Sequence, residues 1–375
     1  MSEFKSPNFR NEDGSAAPDI VGVTTFTSPY YFVPPSGTTA QRPSGDGLAP
    51  GMLRFNTDIG RLEVWRGDHW ATILGESPNL GVNGALGARG VFGGGYESSP
   101  VNTIEYNTIS TLGNSIDFGD LTTARFRSGY FSSSTRAVFG GGQNPAVLSS
   151  IEYVTISSTG NGISFGNLST GTTYFSGLSN STRGVFTGGI VPTAHNVISY
   201  VTIASTGNSQ DFGDLLDTRY YHTSCASSTR GIIAGGAGSP GLTNSIEYIT
   251  ISTTGNSLDF GDLTVSVRER SSGSSNSTRG VFGGGRTPTL LNSIEFVTIA
   301  SIGNSQDFGD LSNLTNAPAS CASPTRGLFA GGFAPGVVNT IEYITILTTG
   351  NAQDFGDLLA GRSQIMACSN GHGGL

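Results

Sequence analysis

Short segments in which apolar and polar residues alternate recur along residues 86–375. They begin with IEY or its variants ISY and IEF, at Ile104, Ile151, Ile198, Ile246, Ile294 and Ile341. Alternation with a period of two is typical of a half-buried β-strand. We find no stretch with the 3.6-residue period of an amphipathic helix, so the pattern predicts an all-β protein.

Each alternating segment belongs to a longer repeat. An arginine opens an apolar run that ends in glycines, as in RGVFGGG, at Arg89, Arg136, Arg183, Arg230, Arg279 and Arg326. Successive arginines are 47 residues apart, except for one gap of 49 (279 − 230). DFGDL or its variant SFGNL follows each alternating segment. With the apolar stretch before the arginine, each repeat has four predicted strands, a to d, which is the size of a propeller blade.

The two ends of the repeat region complement each other. The first repeat begins at strand b, Ala88–Gly95, whereas the last ends with a lone strand a, Arg362–Ser369. If these two strands pair, six blades close into a β-propeller with no free strand edge. The predicted blades are residues 88–121 with 362–369, 125–168, 173–215, 219–263, 268–311 and 315–358.

Residues 1–80 lie outside the repeats. Residues 1–50 are rich in Pro, Gly and Ser, which predicts an extended arm. Residues 51–80 hold three alternating runs with turn sequences at 56–60 and 66–68, which predicts a small β-meander. Three short strands bury too little apolar surface to be stable alone. We therefore expect the meander to dock on another protein through Phe55, Leu62, Trp65 and Trp70.

Loop sequences distinguish the two faces of the predicted propeller. The segments that join strand c to d, such as ASTGN, are nearly constant, and so are those that join a to b. The segments that join b to c, and d to the next a, differ in every repeat and lie together on the opposite face. Varied loops on a constant scaffold are expected to carry recognition, and aromatic and arginine side chains dominate binding hot spots. The variable face is predicted to display Tyr96, Phe126, Arg127, Tyr174, Phe175, Tyr220, Tyr221, His222, Arg268, Arg270, Arg286, Phe333 and Arg362.

Charge and composition argue against several functions. A net charge of −8 and a pI near 5.0 disfavour nucleic acid as a partner. No apolar run is long enough for a membrane span, and the N-terminus lacks the pattern of a signal peptide. The four histidines are scattered without ligand spacing, so no metal or cofactor is expected. The three cysteines are predicted to be buried and reduced.

Two recurring groups of charged residues are interpreted as structural. The aspartates of DFGDL recur in five repeats, which favours a hydrogen bond at a turn over an active site. The arginine of strand b and a glutamate of strand c are predicted to form a charge lattice, which Ser199 interrupts once. The glutamates are Glu105, Glu152, Glu247, Glu295 and Glu342.

Two parts of the chain resemble known families. The unit RYYHTSCASSTRGIIAGG resembles the kelch repeat, in which an apolar run precedes a double glycine, although the Phe of DFGDL replaces the usual strand-d tryptophan. GMLRFNTDIGRLEVWRGDHWATI resembles a module at the front of phage tail-fibre and other virion proteins. The TRGVFGGG…IEYVTIASTGN…DFGDL repeat resembles repeats in virion proteins of marine, notably cyanobacterial, tailed phages. The resemblance implies an arm that docks into the particle and a kelch-like propeller that is presented outward.

Three functions are compatible with these features. The first is a tail or fibre adhesin that binds a host cell-surface glycan or protein and is held by other virion proteins through residues 1–80. A homotrimer would suit such a fibre by analogy. The second is a decoration protein of the capsid or tail. The third, a glycan-cleaving enzyme, needs a carboxylate pair in a cleft. The charged cluster 268–270 supplies one acid, so no catalytic residue is expected.

Overall fold

The computed structural model describes residues 34–45, 47–72, 88–239, 241–266 and 273–375. The chain divides into two compact units, residues 1–75 and 76–375. Within the described ranges the regular structure consists of β-strands and a single 3₁₀ turn at Thr39–Gln41. The all-β class predicted from the alternating pattern is confirmed.

The first unit contains a four-stranded sheet. Its strands, in spatial order, are Ser36–Gly37, Leu53–Asn56, Arg61–Trp65 and Trp70–Thr72. The last three pair antiparallel, whereas the first pairs in parallel with its neighbour. The parallel strand precedes residue 51, where the meander was predicted to begin.

The second unit contains six four-stranded antiparallel sheets in its described part. Each sheet has the spatial order a, b, c, d, and we number the sheets by the position of strand b along the chain. Sheet 1 comprises Met366–Ser369, Arg89–Gly93, Thr103–Thr108 and Ile116–Asp120. Sheet 2 comprises Gly129–Ser132, Arg136–Gly140, Ser150–Thr155 and Ile163–Asn167. Sheet 3 comprises Ser176–Ser179, Arg183–Ile190, Ala194–Thr202 and Gln210–Asp214.

The remaining three sheets follow the same order. Sheet 4 comprises Thr223–Ala226, Arg230–Ala234, Ser245–Thr250 and Leu258–Asp262. Sheet 5 comprises Ser274–Ser275, Arg279–Gly283, Ser293–Thr298 and Gln306–Asp310. Sheet 6 comprises Ala319–Ala322, Arg326–Ala330, Thr340–Thr345 and Gln353–Asp357. Two further short strand pairs occur outside these sheets. Gln143–Asn144 pairs with Ala146–Val147 in the b-to-c loop of sheet 2, and Arg219–Tyr220 pairs with Ala237–Gly238 beside sheet 4.

Sheet 1 joins two distant parts of the chain. Its strand a pairs antiparallel with its strand b, with Met366 opposite Gly93 and Ser369 opposite Gly90. The pairing predicted between the lone C-terminal strand and the first strand b is therefore present.

The core is divided into apolar clusters that neighbouring sheets share. Phe139 of sheet 2, for example, packs in one cluster with Ile104 of sheet 1. Another cluster joins Phe92 of sheet 1 to Leu328 of sheet 6. The other four clusters link sheets 2 and 3, 3 and 4, 4 and 5, and 5 and 6. Burial of apolar surface between sheets, rather than within one, therefore holds the unit together.

The constant c-to-d segments form the seams between sheets. Gly160 N donates to Phe118 O (2.8 Å), and Asp120 N donates to Asn161 Oδ1 (3.0 Å). Gly119 has a φ of +142°, and a Cβ there would lie 2.6 Å from Gly160 O, so only glycine allows this approach.

DFGD lies in strand d rather than at a turn, so the predicted role of its aspartates was wrong. Instead, the backbone N–H of the last residue of this segment donates to an asparagine side chain of the neighbouring sheet in each of the six sheets.

The strand-b arginines do not pair with the strand-c glutamates, so the predicted charge lattice was wrong. Arg136 instead stacks over the Tyr153 ring, with Cζ 4.3 Å from the ring centre. Its Nη1 donates to Ile203 O of the next sheet (2.8 Å). The other five arginines make the same stacking and backbone contacts. These arginines thus tie each sheet to its neighbour.

The residues after Ser369 pack against strands a of other sheets. His372 Nε2 lies 2.9 Å from Ser132 O, and Gly373 N donates to Ser275 O (2.9 Å). A Cβ on Gly374 would lie 1.9 Å from Ser179 O. The tail therefore contacts sheets 2, 3 and 5.

The three cysteines are free and buried, as predicted, and burial raises the pKa of each thiol.

Candidate recognition face

Five non-glycine residues with a left-handed backbone lie at equivalent positions of five repeats. Their φ angles are between 50° and 60°, and they are Arg127, Tyr174, Tyr221, Ala317 and Gln364. Such strain is rare outside glycine and often marks functional sites. Tyr174 N donates to Arg127 O (2.9 Å), and Tyr221 N donates to Tyr174 O (3.0 Å). The d-to-a segments that lead into strand a of sheets 2, 3 and 4 therefore lie side by side.

Six of the predicted residues form one connected group, here called the aromatic arc. The ring centres of Tyr96 and Phe126 are 5.1 Å apart. Arg127 Cζ lies 4.5 Å from the ring centre of Phe126 and 4.1 Å from that of Tyr174. The members of the arc are Tyr96, Phe126, Arg127, Tyr174, Tyr220 and Tyr221.

The tyrosines extend the arc across the next d-to-a segment. The ring centres of Tyr174 and Tyr221 are 4.1 Å apart, and those of Tyr220 and Tyr221 are 5.0 Å apart. Arg127 is also fixed from the other side, because its Nε donates to Gln364 Oε1 (3.0 Å). Each aromatic pair contributes about 0.5–1.5 kcal/mol beyond burial. The arc is therefore a preorganised surface rather than a set of independent side chains.

Exposure divides the arc into a surface and a support. Tyr96 is 36% exposed, and Arg127, Tyr174, Tyr220 and Tyr221 are half-buried. Phe126 was predicted to be displayed, but it is buried because Tyr96 and Arg127 pack on it. Phe126 therefore supports the exposed members.

Arg362 was also predicted to lie on the variable face, but it is 1% exposed. Its Nη1 donates to Gly94 O (2.9 Å) and Thr103 O (3.1 Å), and its Nη2 pairs with Glu105. Among the described residues, two other sheets contain the same buried ion pair, Arg125–Glu152 and Arg219–Glu247. Arg362 occupies the same repeat position as Arg125 and Arg219, and this recurrence was the sequence signal that Arg362 is structural.

Two further predicted residues are buried. Phe175 is 7% exposed and packs on Phe186, at 5.5 Å between ring centres. His222 is 6% exposed, and its Nε2 lies 2.9 Å from Thr187 Oγ1. Burial, assisted by the nearby Arg219, lowers the pKa of His222 to about 3, so the ring is neutral. Both residues are therefore buried rather than displayed on the face.

Two of the four remaining predicted residues are described, and they lie apart from the arc. Arg268 and Arg270 lie outside the described residues. Arg286 and Phe333 are exposed in the b-to-c loops of sheets 5 and 6, and Phe333 is 43% exposed. The described portion of the face brings neither into ring contact with the arc.

A cavity that the sequence did not reveal lies beside strands b and c of sheet 3. Thr172 is 47 residues after Arg125, and Ser199 is 47 residues after Glu152, so this sheet lacks both partners of the buried ion pair. A cavity of about 230 Å³ lies there. Its lining includes Thr172, Phe175, Phe186, His195 and Ser199. Burial lowers the pKa of His195, so the cavity presents apolar rings and neutral polar groups, as small-ligand pockets do.

A second cavity occupies the equivalent place in sheet 6. Thr315, 47 residues before Arg362, replaces the arginine, whereas Glu342 is retained. The cavity measures about 120 Å³, and Thr315 and Glu342 both line it. The two cavities therefore occur in the two sheets that have threonine in place of the buried arginine. These substitutions were visible in the sequence, but their effect on volume was not.

The predicted docking residues lie on opposite faces of the first unit's sheet. Phe55 is opposite Leu62 across the strand pair, and these two share a face with the pair Leu53 and Val64. Leu53 is 47% exposed and Leu62 is 38% exposed. The structure therefore leaves an apolar sheet face open.

Trp65 and Trp70 lie on the other face, with ring centres 5.6 Å apart. Trp70 Nε1 donates to Pro43 O (3.0 Å), so this ring is already engaged within its own unit. The same face buries Glu63, whose pKa is lowered by a hydrogen bond from Arg42. Only Phe55 and Leu62 of the four predicted residues therefore belong to the open face.

Comparisons with known proteins give no family assignment. No family model matches the chain, and no curated protein matches it. No described helix is long and apolar enough to span a membrane. No group of metal-ligating side chains occurs among the described residues.

Proposed function

We propose that residues 86–375 form a closed six-bladed kelch-like β-propeller. The pairing of Met366–Ser369 with Arg89–Gly93 supports closure, because it joins the last strand of the repeat region to the first. The apolar cluster between sheets 6 and 1 supports it as well, since it matches the clusters between the other neighbours. Glycine-mediated hydrogen bonds also link sheet 1 to sheet 6, with Gly113 N donating to Phe355 O (2.9 Å).

We propose that this propeller is the outward-facing part of a tail- or fibre-associated phage virion protein, and that its variable face recognises the host surface. The aromatic arc is the observation that carries this proposal. Partly exposed tyrosines and a half-buried arginine are held in contact across adjacent sheets, and three of them adopt a strained backbone. Rings that are fixed before binding lose little entropy on contact and are typical of binding hot spots.

A carbohydrate of the cell surface is the ligand that suits the face best. Flat tyrosine rings stack on the apolar faces of sugar rings, and the sheet-3 cavity beside strands b and c offers His195, Thr172 and Ser199 as neutral hydrogen-bonding groups. The cavity lining contains no carboxylate, which favours binding of an uncharged sugar over its cleavage.

We further propose that the first unit docks on another virion protein. The face that bears Leu53, Phe55, Leu62 and Val64 is apolar and partly exposed. An exposed apolar face of this kind is characteristic of a protein interface. Leu62→Glu is expected to prevent incorporation into particles without reducing binding by the second unit.

Binding to an array of defined glycans tests the recognition proposal. Tyr174→Gly removes a ring of the arc, and glycine is favoured at its φ of 59°, so the fold is retained. We expect at least tenfold weaker glycan binding, with a single cooperative unfolding transition that shows the variant is still folded. Ile302→Ala, at a 66%-exposed position in a constant segment, is the matched control and should bind normally. Equal binding by all three proteins would contradict the proposed role of the arc.

Immunogold labelling of intact particles tests the location. Gold on the tail or fibres is expected for an adhesin. Gold spread evenly over the head would favour the alternative of a decoration protein, and glycan binding would then have to be absent. Particles without gold would contradict a place on the virion.

A further inference from the structure

The chain contains its own template for a guanidinium site. In sheet 2, Arg125 Nη1 donates to Gly141 O (3.1 Å) and Ser150 O (2.9 Å), while its Nη2 lies 2.6 Å from Glu152 Oε1. Two carbonyl oxygens and one carboxylate therefore receive a single planar group. Arginine makes such forked contacts because its N–H donors are fixed in one plane.

The same three acceptors recur in two other sheets. Arg219 of sheet 4 donates to Gly235 O and Ser245 O and pairs with Glu247. In sheet 1 the acceptors are Gly94 O, Thr103 O and Glu105, and the donor is Arg362. The acceptor set belongs to the repeat, and a nearby d-to-a segment supplies the arginine.

Sheet 6 has the acceptors without the arginine. Gly331, Thr340 and Glu342 occupy the equivalent positions and all line the cavity of about 120 Å³. Thr315, at the position of the arginine, is too short to reach them. Glu342 is 8% exposed and accepts hydrogen bonds from Ser312 N, at 3.1 Å and 3.4 Å. It has no cationic partner in the described part of the chain.

We propose that the sheet-6 cavity binds the guanidinium group of an arginine supplied from outside the chain. A buried carboxylate without a cation is costly, and a guanidinium that takes the place of Arg362 in sheet 1 would pair with it. The two carbonyl oxygens select the planar fork over a compact ammonium group. Entry is available from the variable face, because the exposed Asn313 also lines the cavity.

The sheet-3 cavity is an internal control for this site. It also lacks the arginine, but Ser199 replaces the glutamate, so it offers no charge to a cation. The inference does not rest on the proposed virion function, since it follows from a comparison of the sheets with one another. Failure of the glycan experiment would leave it unaffected.

Ligand-observed NMR titration of the full chain with methylguanidinium tests the site. We expect saturable binding, a raised thermal midpoint, and at least tenfold weaker binding of methylammonium at the same ionic strength. Glu342→Gln should weaken methylguanidinium binding at least tenfold, whereas Ile302→Ala, at a 66%-exposed position of a constant segment, should leave it unchanged. Thr315→Arg should restore the internal pair, raise the thermal midpoint and abolish binding.

Two sources of the group can be distinguished in the same assay. Binding of both N-acetyl-arginine amide and the peptide Gly-Arg-Gly would indicate an arginine of a partner protein. Binding of the amide alone would indicate a free small molecule. Methylguanidinium binding that survives both Glu342→Gln and Thr315→Arg would overturn the proposal, and so would the absence of saturable binding to the unaltered chain.

Discussion

Replacing Arg125 by threonine would copy into sheet 2 the residue found at positions 172 and 315. Arg125 is fully buried and lies 2.6 Å from Glu152. The change removes this ion pair, three hydrogen bonds to backbone carbonyl groups and one to the Ser150 hydroxyl. Glu152 would keep a hydrogen bond from Thr122 N, at 2.7 Å, but its buried charge would have no cationic partner.

The magnitude follows from how well the vacated space can be solvated. Removing one partner of a buried ion pair costs about 3–5 kcal/mol. In sheet 6 the same arrangement, threonine with a retained glutamate, has a cavity of about 120 Å³, which is large enough for several waters. Because water can reach the carboxylate there, we expect the lower end of the range, about 3 kcal/mol, for Arg125→Thr.

The double variant Arg125→Thr/Glu152→Ser copies sheet 3 and leaves no buried charge. We therefore expect it to be more stable than Arg125→Thr alone, with a coupling energy of about 2 kcal/mol in the double-mutant cycle. Urea unfolding followed by far-ultraviolet circular dichroism measures each free energy of unfolding. A loss below about 1 kcal/mol for Arg125→Thr, with additive single effects, would refute the reasoning.

Three further predictions concern other parts of the fold. The pKa of His222 is about 3 in the folded protein. As the pH falls below 6.5, this imidazole is therefore protonated in the unfolded chain but stays neutral in the folded one. The free energy of unfolding should then fall by up to about 1.4 kcal/mol per pH unit. Urea titrations at pH 7 and pH 5 should show a smaller fall between the two pH values for His222→Asn than for the unaltered protein, and an equal fall would contradict this prediction. Deleting residues 362–375 exposes the edge of Arg89–Gly93 and should lower the thermal midpoint by about 10 °C or more, whereas an unchanged midpoint would exclude a closing role. Asn161→Ala removes one seam hydrogen bond at 3.0 Å and should cost about 1 kcal/mol, seen as a midpoint about 2–4 °C lower.

The strands were predictable because four motifs recur with one period. Alternation at Ile104 and its equivalents marks strand c, and the glycine-terminated run at Arg89 marks strand b. The pairing of the C-terminal strand with strand b of sheet 1 followed from counting which strand each end lacks. Local pattern was sufficient here because each strand has the same neighbours in every repeat.

The site was predicted less well, for a physical reason. Loop position indicated that Tyr174 and Tyr221 lie on the variable face, but it could not show that Arg362 and His222 turn inward from the same segments. An arginine is usually exposed, and only its partner makes burial acceptable. The partner, Glu105, lies 257 residues away in sequence (362 − 105), so only the recurrence of the Arg and Glu positions could have suggested the pair. Cavity volumes depend on packing in three dimensions and carry no direct sequence signal.

Strands a and b of sheet 1 can pair only late in biosynthesis, because they lie far apart in the sequence. Strand b ends at Gly93 and its partner begins at Met366, so Met366 is the 273rd residue (366 − 93) translated after Gly93. At a translation rate of roughly 5–20 residues per second, the edge of Arg89–Gly93 stays unpaired for about 14–55 s before its partner strand is synthesised. During that interval the neighbouring nascent chains of a polysome present the same open edge. A strand Met366–Ser369 released from one chain can therefore be captured by another, and slow translation of the last repeats would favour exchanged dimers over monomers.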